Sequence, residues 1–407
     1  MEEEKFAHLR SRLMEQLEEY REIQDEEIYR KIDELILESG FGFYIRLSER
    51  NAIRKELFNS VRRLDILQEL VDDNSVTEIM INGTDGIFIE RNGRLMEWEK
   101  RFTSVSKLED IAQQIVAKCN RIVNESVPVV DARLENGARV NIVMPPVALN
   151  GPVITIRRFP DHPIRMEELI RWGAVSDDAV EFLEKLVKSG YNIFISGGTG
   201  SGKTTFLNAL SSFIPKDERI ITIEDNAELQ IQGIRNLVRM EARNANAEGE
   251  LAVTIRDLIK SSLRMRPDRI LIGEVRGSEV IDLLQAMNTG HDGSISTGHA
   301  NSPGDMLARL ETMVLMGMEI PLPAVRRQIA SGIDIMIHLG RLRDKSRRVL
   351  KILEVLGFDH FSGEIKTQVL YEFEEEGIDE CGRIQGSLKK KEELSDTRKL
   401  LRAGYQI

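Results

Sequence analysis

Residues 191–205 read YNIFISGGTGSGKTT, an apolar strand pattern followed by a glycine-rich turn and the start of a helix. Within this stretch, Gly197, Gly202, Lys203 and Thr204 match the spacing G-x-x-x-x-G-K-[ST]. Glycines at such positions let backbone N–H groups turn inward around an anion, and the following helix directs the positive end of its dipole at the same point. The pattern predicts a phosphate-binding loop, in which Lys203 reaches the β- and γ-phosphates of a nucleotide and the Thr204 hydroxyl binds Mg²⁺.

The bulk composition limits the classes of protein that this chain can represent. Its 407 residues suffice for two or three domains, and its net charge of −11 without a long basic run argues against a surface that coats nucleic acid. Only two cysteines occur, so structural zinc and a disulfide framework are not expected, and a reducing cytosol fits. The acidic start lacks the apolar segment of a signal peptide, and no apolar run of about 18 residues occurs, so we expect any membrane role to act through a partner.

The patterns along the chain divide it into five segments. Residues 1–48 read as a helical arm, whose apolar stripe indicates either packing beneath a solvated face or a docking arm for a partner. Residues 49–160 read as a mixed α/β domain, 161–170 as a linker, and 377–407 as a polar, charged tail that forms a loosely attached helix. Between them, residues 171–376 alternate helices with apolar strands, which predicts a parallel sheet with helices on both faces.

Two of these apolar strands end in carboxylates. RILIGE ends at Glu274, which would lie at the C-terminal end of a short buried strand, where α/β sheets bind ligands. A carboxylate there can accept a proton from water or hold Mg²⁺ through water. ITIEDNAEL supplies Glu224, Asp225 and Glu228 after a second strand. Because acidic residues commonly follow strands, this second stretch leaves a structural and a catalytic interpretation equally open.

Histidines and arginines complete the set of candidates. His291 and His299 bracket a short strand in TGHDGSISTGHAN, where they could sense the phosphate state of a nucleotide; a metal site would need a third ligand at metal spacing. Four arginines stand on apolar strands of the preceding domain: Arg133, Arg139, Arg157 and Arg158. They are either surface charges or arginines that stabilise charge on a transferred phosphoryl group from another domain or subunit.

With these motifs assembled, the chain resembles the secretion and type IV pilus assembly ATPases of the traffic-ATPase superfamily, and it is most similar to the CpaF type of tight-adherence (Tad) pilus systems. Four ordered boxes carry the resemblance: GGTGSGKTT, TIEDNAEL, RPDRILIGEVRG and TGHDGSISTGHAN. The earlier sequences VTEIMING, DARLENGARVN and GPVITIRRF add to it. The chain departs from the type II secretion branch, because it lacks that branch's four-cysteine zinc element.

The resemblance implies a RecA-like P-loop motor behind a mixed α/β N-terminal domain, assembled as a homohexamer with nucleotide between the two domains. It implies an enzyme that hydrolyses ATP with Mg²⁺ to power Tad pilus assembly or protein secretion across the inner membrane. The implied position is cytoplasmic, peripheral to the inner face of the membrane. The implied partners are a polytopic inner-membrane platform protein and, indirectly, the pilin machinery, but no nucleic acid.

Matching the family's motifs residue by residue gives the expected site. The catalytic residues are Glu274, Glu224, Arg139 and Arg157, with Arg133 as a secondary candidate. The nucleotide-binding residues are Gly197, Gly198, Thr199, Gly200, Ser201, Gly202, Lys203, Thr204, Thr205, His291 and His299. The metal ligand is Thr204.

Two rival functions remain open on the sequence. A RecA-type nucleic-acid motor would need a basic or aromatic track, which a net charge of −11 and an aromatic content of 5% do not offer. A nucleotide-gated scaffold that binds ATP but scarcely hydrolyses it would not need Glu274 or the arginines.

Overall fold

The structure is a computed structural model, and it falls into two compact units, Met1–Asp161 and His162–Ile407. It describes residues 2–17, 23–39, 46–91, 93–102, 104–119, 121–158, 163–243 and 252–405. In this described part of the chain, no helix combines the length and the apolarity that crossing a membrane requires.

Three helices open the N-terminal unit: α1 (Glu2–Leu17), α2 (Asp25–Glu38) and α3 (Leu47–Arg62). Their apolar stripes meet in a small core of their own, in which Leu13 and Phe58 are almost fully buried. The helical character expected for the N-terminal arm is therefore confirmed where the structure describes it, in Glu2–Leu17 and Asp25–Glu38. The extension of the bundle through α3 was not predicted, because that helix carries few apolar residues and buries only one end of its length.

An antiparallel sheet forms the rest of this unit, in the order β3-β2-β1-β6-β5-β4. Its elements are α4 (Leu67–Asp72), β1 (Val76–Asn82), β2 (Gly86–Arg91), β3 (Arg94–Glu97), α5 (Val105–Lys118), β4 (Val129–Arg133), β5 (Arg139–Val143) and β6 (Val153–Arg157). Alternate residues such as Ile79 and Ile81 enter a core shared with α4 and α5. This mixed α/β architecture agrees with the expectation.

The C-terminal unit is built on a nine-stranded sheet. Its elements are α6 (Met166–Arg171), α7 (Asp177–Lys188), β7 (Ile193–Gly197), α8 (Lys203–Ser211), β8 (Arg219–Glu224), β9 (Asn236–Glu241), α9 (Ile255–Ser262), β10 (Arg269–Ile272), α10 (Val280–Asn288), β11 (Ile295–His299), α11 (Pro303–Gly317), α12 (Leu322–Gly332), β12 (Ile335–Arg341), β13 (Arg347–Phe358), β14 (Ile365–Ile378), β15 (Ile384–Lys390) and α13 (Arg398–Arg402). The strand order is β15-β14-β13-β12-β7-β11-β10-β8-β9. The six strands from β12 to β9 are parallel, whereas β13, β14 and β15 add an antiparallel meander at one edge.

Both faces of the parallel sheet are covered at its centre, which explains the consecutive apolar residues that begin β7 and end β10. On β7, Ile193 and Ile195 enter a core with α6, α7 and α8, whereas Phe194 enters a second core with α9, α10, α11 and α12. A strand buried on both faces needs apolar side chains at every position. The parallel α/β motor expected from the alternating pattern is thus confirmed, and all five residues of β7 are buried.

Two segments differ from their predicted structure. The expected linker 161–170 begins outside the described residues, but α6 occupies its second half and buries Met166 and Leu169 in the motor core. The expected helical tail instead contains β15, which pairs with β14, and only α13 is helical. The error has a physical cause: only Ile384 and Leu388 of β15 are buried, so this edge strand is mostly polar.

Residues 396–399 of the tail are attached to the motor unit by specific hydrogen bonds. The Lys399 ammonium donates to Asp292 and Asp334, at 2.7 Å each, and the Tyr191 hydroxyl donates to the Asp396 carbonyl at 2.6 Å. The C-terminal segment therefore packs against the end of the sheet at which β7, β11 and β12 begin.

Candidate functional site

The phosphate loop, Gly197–Thr205, connects the end of β7 to the first turn of α8. Gly200 and Gly202 have φ of 69° and 94°, values that favour glycine. A Cβ on Gly197 would lie 2.4 Å from the Leu339 carbonyl oxygen, so the neighbouring strand approaches too closely for any side chain. A Cβ on Gly198 or Gly200, by contrast, would meet nothing within 4 Å. The loop therefore encloses open space at the N-terminus of α8, and that space fits a phosphate group.

The Lys203 side chain folds back onto this loop, and Lys203 is only 7% exposed. Its ammonium donates to the carbonyl oxygens of Gly197 and Gly198 at 3.1 and 3.0 Å, and it lies 3.1 Å from His299 Nδ1. Burial lowers the pKa of Lys203, while Glu274 acts in the opposite direction. Within the described residues no carboxylate pairs directly with this buried cation, so an anionic phosphate is the group it can best accept.

Glu274 lies two residues after the end of β10, at the C-terminal edge of the sheet, as the sequence predicted. Its Oε1 lies 3.0 Å from His299 Nε2, and its Oε2 accepts a hydrogen bond from Arg276 Nη2 at 2.9 Å. His299, at the end of β11, thus joins Lys203 on one side to Glu274 on the other. The structure brings these three predicted residues together in one contact chain, Lys203–His299–Glu274.

The protonation of His299 follows from its surroundings. Burial lowers the pKa of His299, and the Lys203 and Arg276 charges lower it further, against the opposing effect of Glu274. The ring is therefore neutral at physiological pH. Because Nδ1 accepts from the Lys203 ammonium, we assign the proton to Nε2, where it faces Glu274.

Glu224 ends β8, next to β10, and is 2% exposed. Its Oε2 accepts the backbone N–H groups of Glu228 and Leu229, both at 2.8 Å. Its Oε1 is buried without a hydrogen-bond partner among the described residues. Burial raises the pKa of Glu224 to about 7, although the two N–H bonds lower it. A Cβ on Gly273 would lie 3.0 Å from Glu224 Cγ, so Glu224 packs directly against the residue before Glu274.

The two predicted histidines occupy different ends of β11. His299 is at the phosphate loop, but His291 precedes the strand, where its Nδ1 lies 3.2 Å from the Ala286 carbonyl oxygen and its own carbonyl accepts from the Ser294 hydroxyl. The structure therefore does not bring His291 to the loop of its own unit. A role for His291 in nucleotide sensing stays a prediction.

Three candidate arginines of the N-terminal unit, Arg133, Arg139 and Arg157, form a row across its sheet. Arg133 on β4 is directly opposite Arg139 on β5, which in turn is opposite Arg157 on β6. Directly opposed residues of antiparallel strands project from the same face, so the three arginines share one surface, on which Glu78 of β1 is opposite Arg157. Arg139 Nη2 lies 3.8 Å from Asp131 Oδ1, and Arg157 is exposed.

Two residues near the site escaped the sequence analysis. Arg276 contacts Glu274 and lies 3.9 Å from Asp225, and its place two residues after Glu274 was an available signal. His338 Nδ1 lies 2.9 Å from the hydroxyl of Ser196, the residue before the phosphate loop, and burial lowers the pKa of His338. Its signal was a lone polar residue in the apolar run IMIHL.

A RecA-like sheet that carries this loop after β7 and a carboxylate after β10, two strands away, defines the class of P-loop nucleoside triphosphatases. Residues 61–398 match the family described as type II/IV secretion system protein, and the chain belongs to that family. Family and site together identify the chain as an ATPase.

Relatives in this family have related names. A putative conjugal transfer protein of Mycobacterium tuberculosis (strain ATCC 25618 / H37Rv) is 35% identical over 293 residues, which cover 70% of this chain and 83% of that protein. The type IV secretion system protein PtlH of Bordetella pertussis is 32% identical over 317 residues, covering 71% and 93%. The solved structure of the pilus retraction motor PilT with bound ADP shares the fold at a TM-score of 0.51 and 20% identity, covering 75% of this chain and 81% of that one.

Proposed function

We propose that this chain is a CpaF-type ATPase, which hydrolyses ATP in a homohexameric ring and uses the resulting domain motion to power Tad pilus assembly or protein export across the inner membrane. The contact chain Lys203–His299–Glu274 is the observation that supports hydrolysis most strongly, because it links a phosphate-binding cation to a candidate general base. The reaction is phosphoryl transfer to water, in which the protein mainly positions groups and stabilises charge.

Within this proposal, the phosphate loop binds the nucleotide. Backbone N–H groups of Gly197–Thr205 surround the β-phosphate, and Lys203 gives up its bonds to the Gly197 and Gly198 carbonyls in order to reach the β- and γ-phosphates. Thr204, in the first turn of α8, would hold Mg²⁺, which when bound neutralises charge on the phosphates.

Glu274 acts as the base that accepts a proton from the attacking water. Arg276 donates a hydrogen bond to one of its oxygens and so orients the carboxylate, while Nε2 of His299 lies 3.0 Å from the other oxygen. His299 responds to nucleotide through Lys203. When Lys203 moves to the phosphates, His299 loses its contact at Nδ1 and is released to interact with the γ-phosphate or with Glu274 alone.

Glu224 is assigned a positioning role. Its Oε2 accepts the backbone N–H groups of residues 228 and 229, and its side chain packs against Gly273. In this proposal it therefore fixes the position of the segment that carries Glu274. Its raised pKa means that its proton state changes near neutral pH, within the working range of an ATPase.

Arg139 and Arg157 would supply positive charge to the γ-phosphoryl group from the N-terminal unit, with Arg133 beside them in the same row. Arginines that meet the transferred phosphoryl group stabilise charge that develops in the transition state. Nucleotide would then lie between the two units, which is the arrangement that the family resemblance implies.

The proposed partners are a polytopic inner-membrane platform protein and, indirectly, the pilin machinery, with the ATPase at the cytoplasmic face of the membrane. Export through a type IV secretion system is the second candidate, and the name of PtlH favours it. A nucleic-acid substrate is not proposed, because the net charge of −11 would repel a phosphate backbone.

Phosphate release measured against protein concentration tests this function. We expect the rate per subunit to fall on dilution, and light scattering with a non-hydrolysable ATP analogue to show a species of about six chains. Single-stranded DNA added to the same assay should leave the rate unchanged. A fully active monomer would contradict the ring, stimulation by DNA would favour a nucleic-acid motor, and binding without phosphate release at high protein concentration would favour a scaffold.

A further inference from the structure

The β12–β13 hairpin lies beside the phosphate loop within the same unit. β12 pairs in parallel with β7, so that Leu339 is opposite Gly197, the first residue of the loop. The chain then turns and returns as β13, with Arg347 opposite Arg341. The hairpin thus begins where the loop begins and brings arginines to that edge of the sheet.

One of these arginines touches the phosphate loop. Arg347 Nε donates to the Gly200 carbonyl oxygen at 2.7 Å, and its Cδ would lie 3.5 Å from a Cβ on Gly202. The side chain therefore runs along the loop rather than away from it. Arg347 is exposed, and among the described residues neither of its Nη groups has a hydrogen-bond partner.

The hairpin that carries Arg347 is held in a defined conformation. Asp344 Oδ1 accepts from the Ser346 N–H and hydroxyl at 2.9 and 2.6 Å, and Asp344 Oδ2 accepts from the Ile384 N–H at 2.8 Å. The Leu342 N–H donates to the Ser346 carbonyl at 2.8 Å, which closes the turn. The backbone on both sides is fixed and the Nε contact with Gly200 already restrains the side chain, so less conformational freedom is lost when the Nη groups bind a ligand.

We infer that Arg347 contacts the phosphates of the nucleotide held in the phosphate loop of its own subunit. Its Nε anchors the guanidinium on Gly200, and the two Nη groups remain as paired donors that suit a phosphate oxygen. The inference rests on the proposed nucleotide site and adds a phosphate contact that does not depend on the N-terminal arginines. The alternative role is purely structural, in which Arg347 only ties the Gly200 carbonyl to the hairpin.

Arg343 provides a matched control on the same hairpin. It carries the same charge, but its guanidinium pairs with Glu375 in the antiparallel meander, with Nη1 at 2.7 Å from Oε2. Arg343→Ala therefore removes one positive charge from the hairpin without removing a group that touches the loop.

The test is a competition titration with a fluorescent ADP analogue on Arg347→Ala, Arg347→Lys, Arg347→Gln and Arg343→Ala. ATP analogue, ADP and inorganic tripolyphosphate serve as competitors. Arg347→Ala should weaken all three by about tenfold, since it removes charge-assisted hydrogen bonds. Lys should restore part of the affinity because it keeps the charge. Gln should not restore it, although it keeps a neutral donor for Gly200. Arg343→Ala should bind like the unchanged protein.

Three results would overturn the inference. Restoration by Gln but not by Lys would assign Arg347 to the Gly200 tie alone. Weaker binding of the nucleotides with unchanged tripolyphosphate binding would place Arg347 on the base or ribose. Unchanged affinity in every variant would remove it from the site. If the unchanged protein binds none of the three ligands, the proposed function itself fails, which is a separate outcome. Circular dichroism of each variant confirms folding, and Arg347→Lys carries the test if the Ala variant does not fold.

Discussion

Replacing Glu224 by Gln should alter how folding stability depends on pH. Glu224 is 2% exposed, and burial raises its pKa from 4.5 to about 7. The folded chain then holds this proton more tightly than the unfolded chain does. The resulting stabilisation is complete below about pH 4.5 and is lost as the pH rises through about 7. A pKa difference of this size corresponds to about 3 kcal/mol of unfolding free energy.

Glutamine keeps an oxygen for the Glu228 and Leu229 N–H groups and never ionises. As the pH rises from 5 to 8.5, the unfolding free energy of the unchanged protein should therefore fall by about 2–3 kcal/mol relative to that of the Glu224→Gln variant. Urea unfolding of both proteins across this range measures the difference. Contributions from the N-terminal unit cancel, because the two proteins share it unchanged.

Glu228→Gln is the control, since it removes one carboxylate from the same loop at a half-buried position. It shows how much of any pH effect comes from the charge of the loop alone. Parallel stability curves for Glu224→Gln and the unchanged protein would refute the burial argument, and with it the claim that Glu224 changes its proton state near neutral pH.

Three further predictions concern steady-state phosphate release. Lys203→Ala should nearly abolish turnover, because it removes the point charge on the β- and γ-phosphates; near-normal rates would rule out the phosphate loop as the active site. Arg139→Ala or Arg157→Ala should lower turnover by about 10³-fold with a smaller loss of nucleotide affinity, and rates within about twofold of normal would leave both as surface charges. Gly273→Ala should slow hydrolysis and lower the melting temperature, because its Cβ would lie 3.0 Å from Glu224 Cγ; if both stay unchanged, Glu224 does not set the position of the loop before Glu274.

The parts of the site that the sequence predicted are those with local causes. The phosphate loop is a strand, a turn and a helix in continuous sequence, and its glycines, lysine and threonine act through local backbone geometry. Glu274 could be placed because it follows an apolar strand, and parallel strands of such a sheet end at one edge. His299 follows the same rule, as it ends β11.

The parts that the sequence did not predict depend on contacts between distant residues. The row of Arg133, Arg139 and Arg157 exists because of the register of three strands, which no single segment encodes. Arg347 reaches Gly200 across 147 positions through the pairing of β12 with β7. β15 was missed because an edge strand buries few side chains and keeps a polar sequence.

Of the two predicted histidines, the structure brings His299 but not His291 to the phosphate loop of its own unit, for a related reason. Both stand at the ends of a short strand, and sequence spacing alone cannot separate the edge that binds ligands from the opposite one. The direction of β11 decides, since His299 ends the strand beside Gly197 whereas His291 precedes it. A polar residue after a parallel strand is therefore the better candidate.

The central claim is that the chain hydrolyses ATP with Glu274 as the base, and Glu274→Gln tests it most directly. The amide keeps the shape of the side chain but cannot accept a proton, and one of its two neighbours, His299 or Arg276, loses an acceptor. Nucleotide affinity, from titration with a fluorescent ATP analogue, should stay within about threefold of normal, while phosphate release should fall by about 10²-fold or more. Near-normal phosphate release, or loss of nucleotide binding together with turnover, would contradict the account.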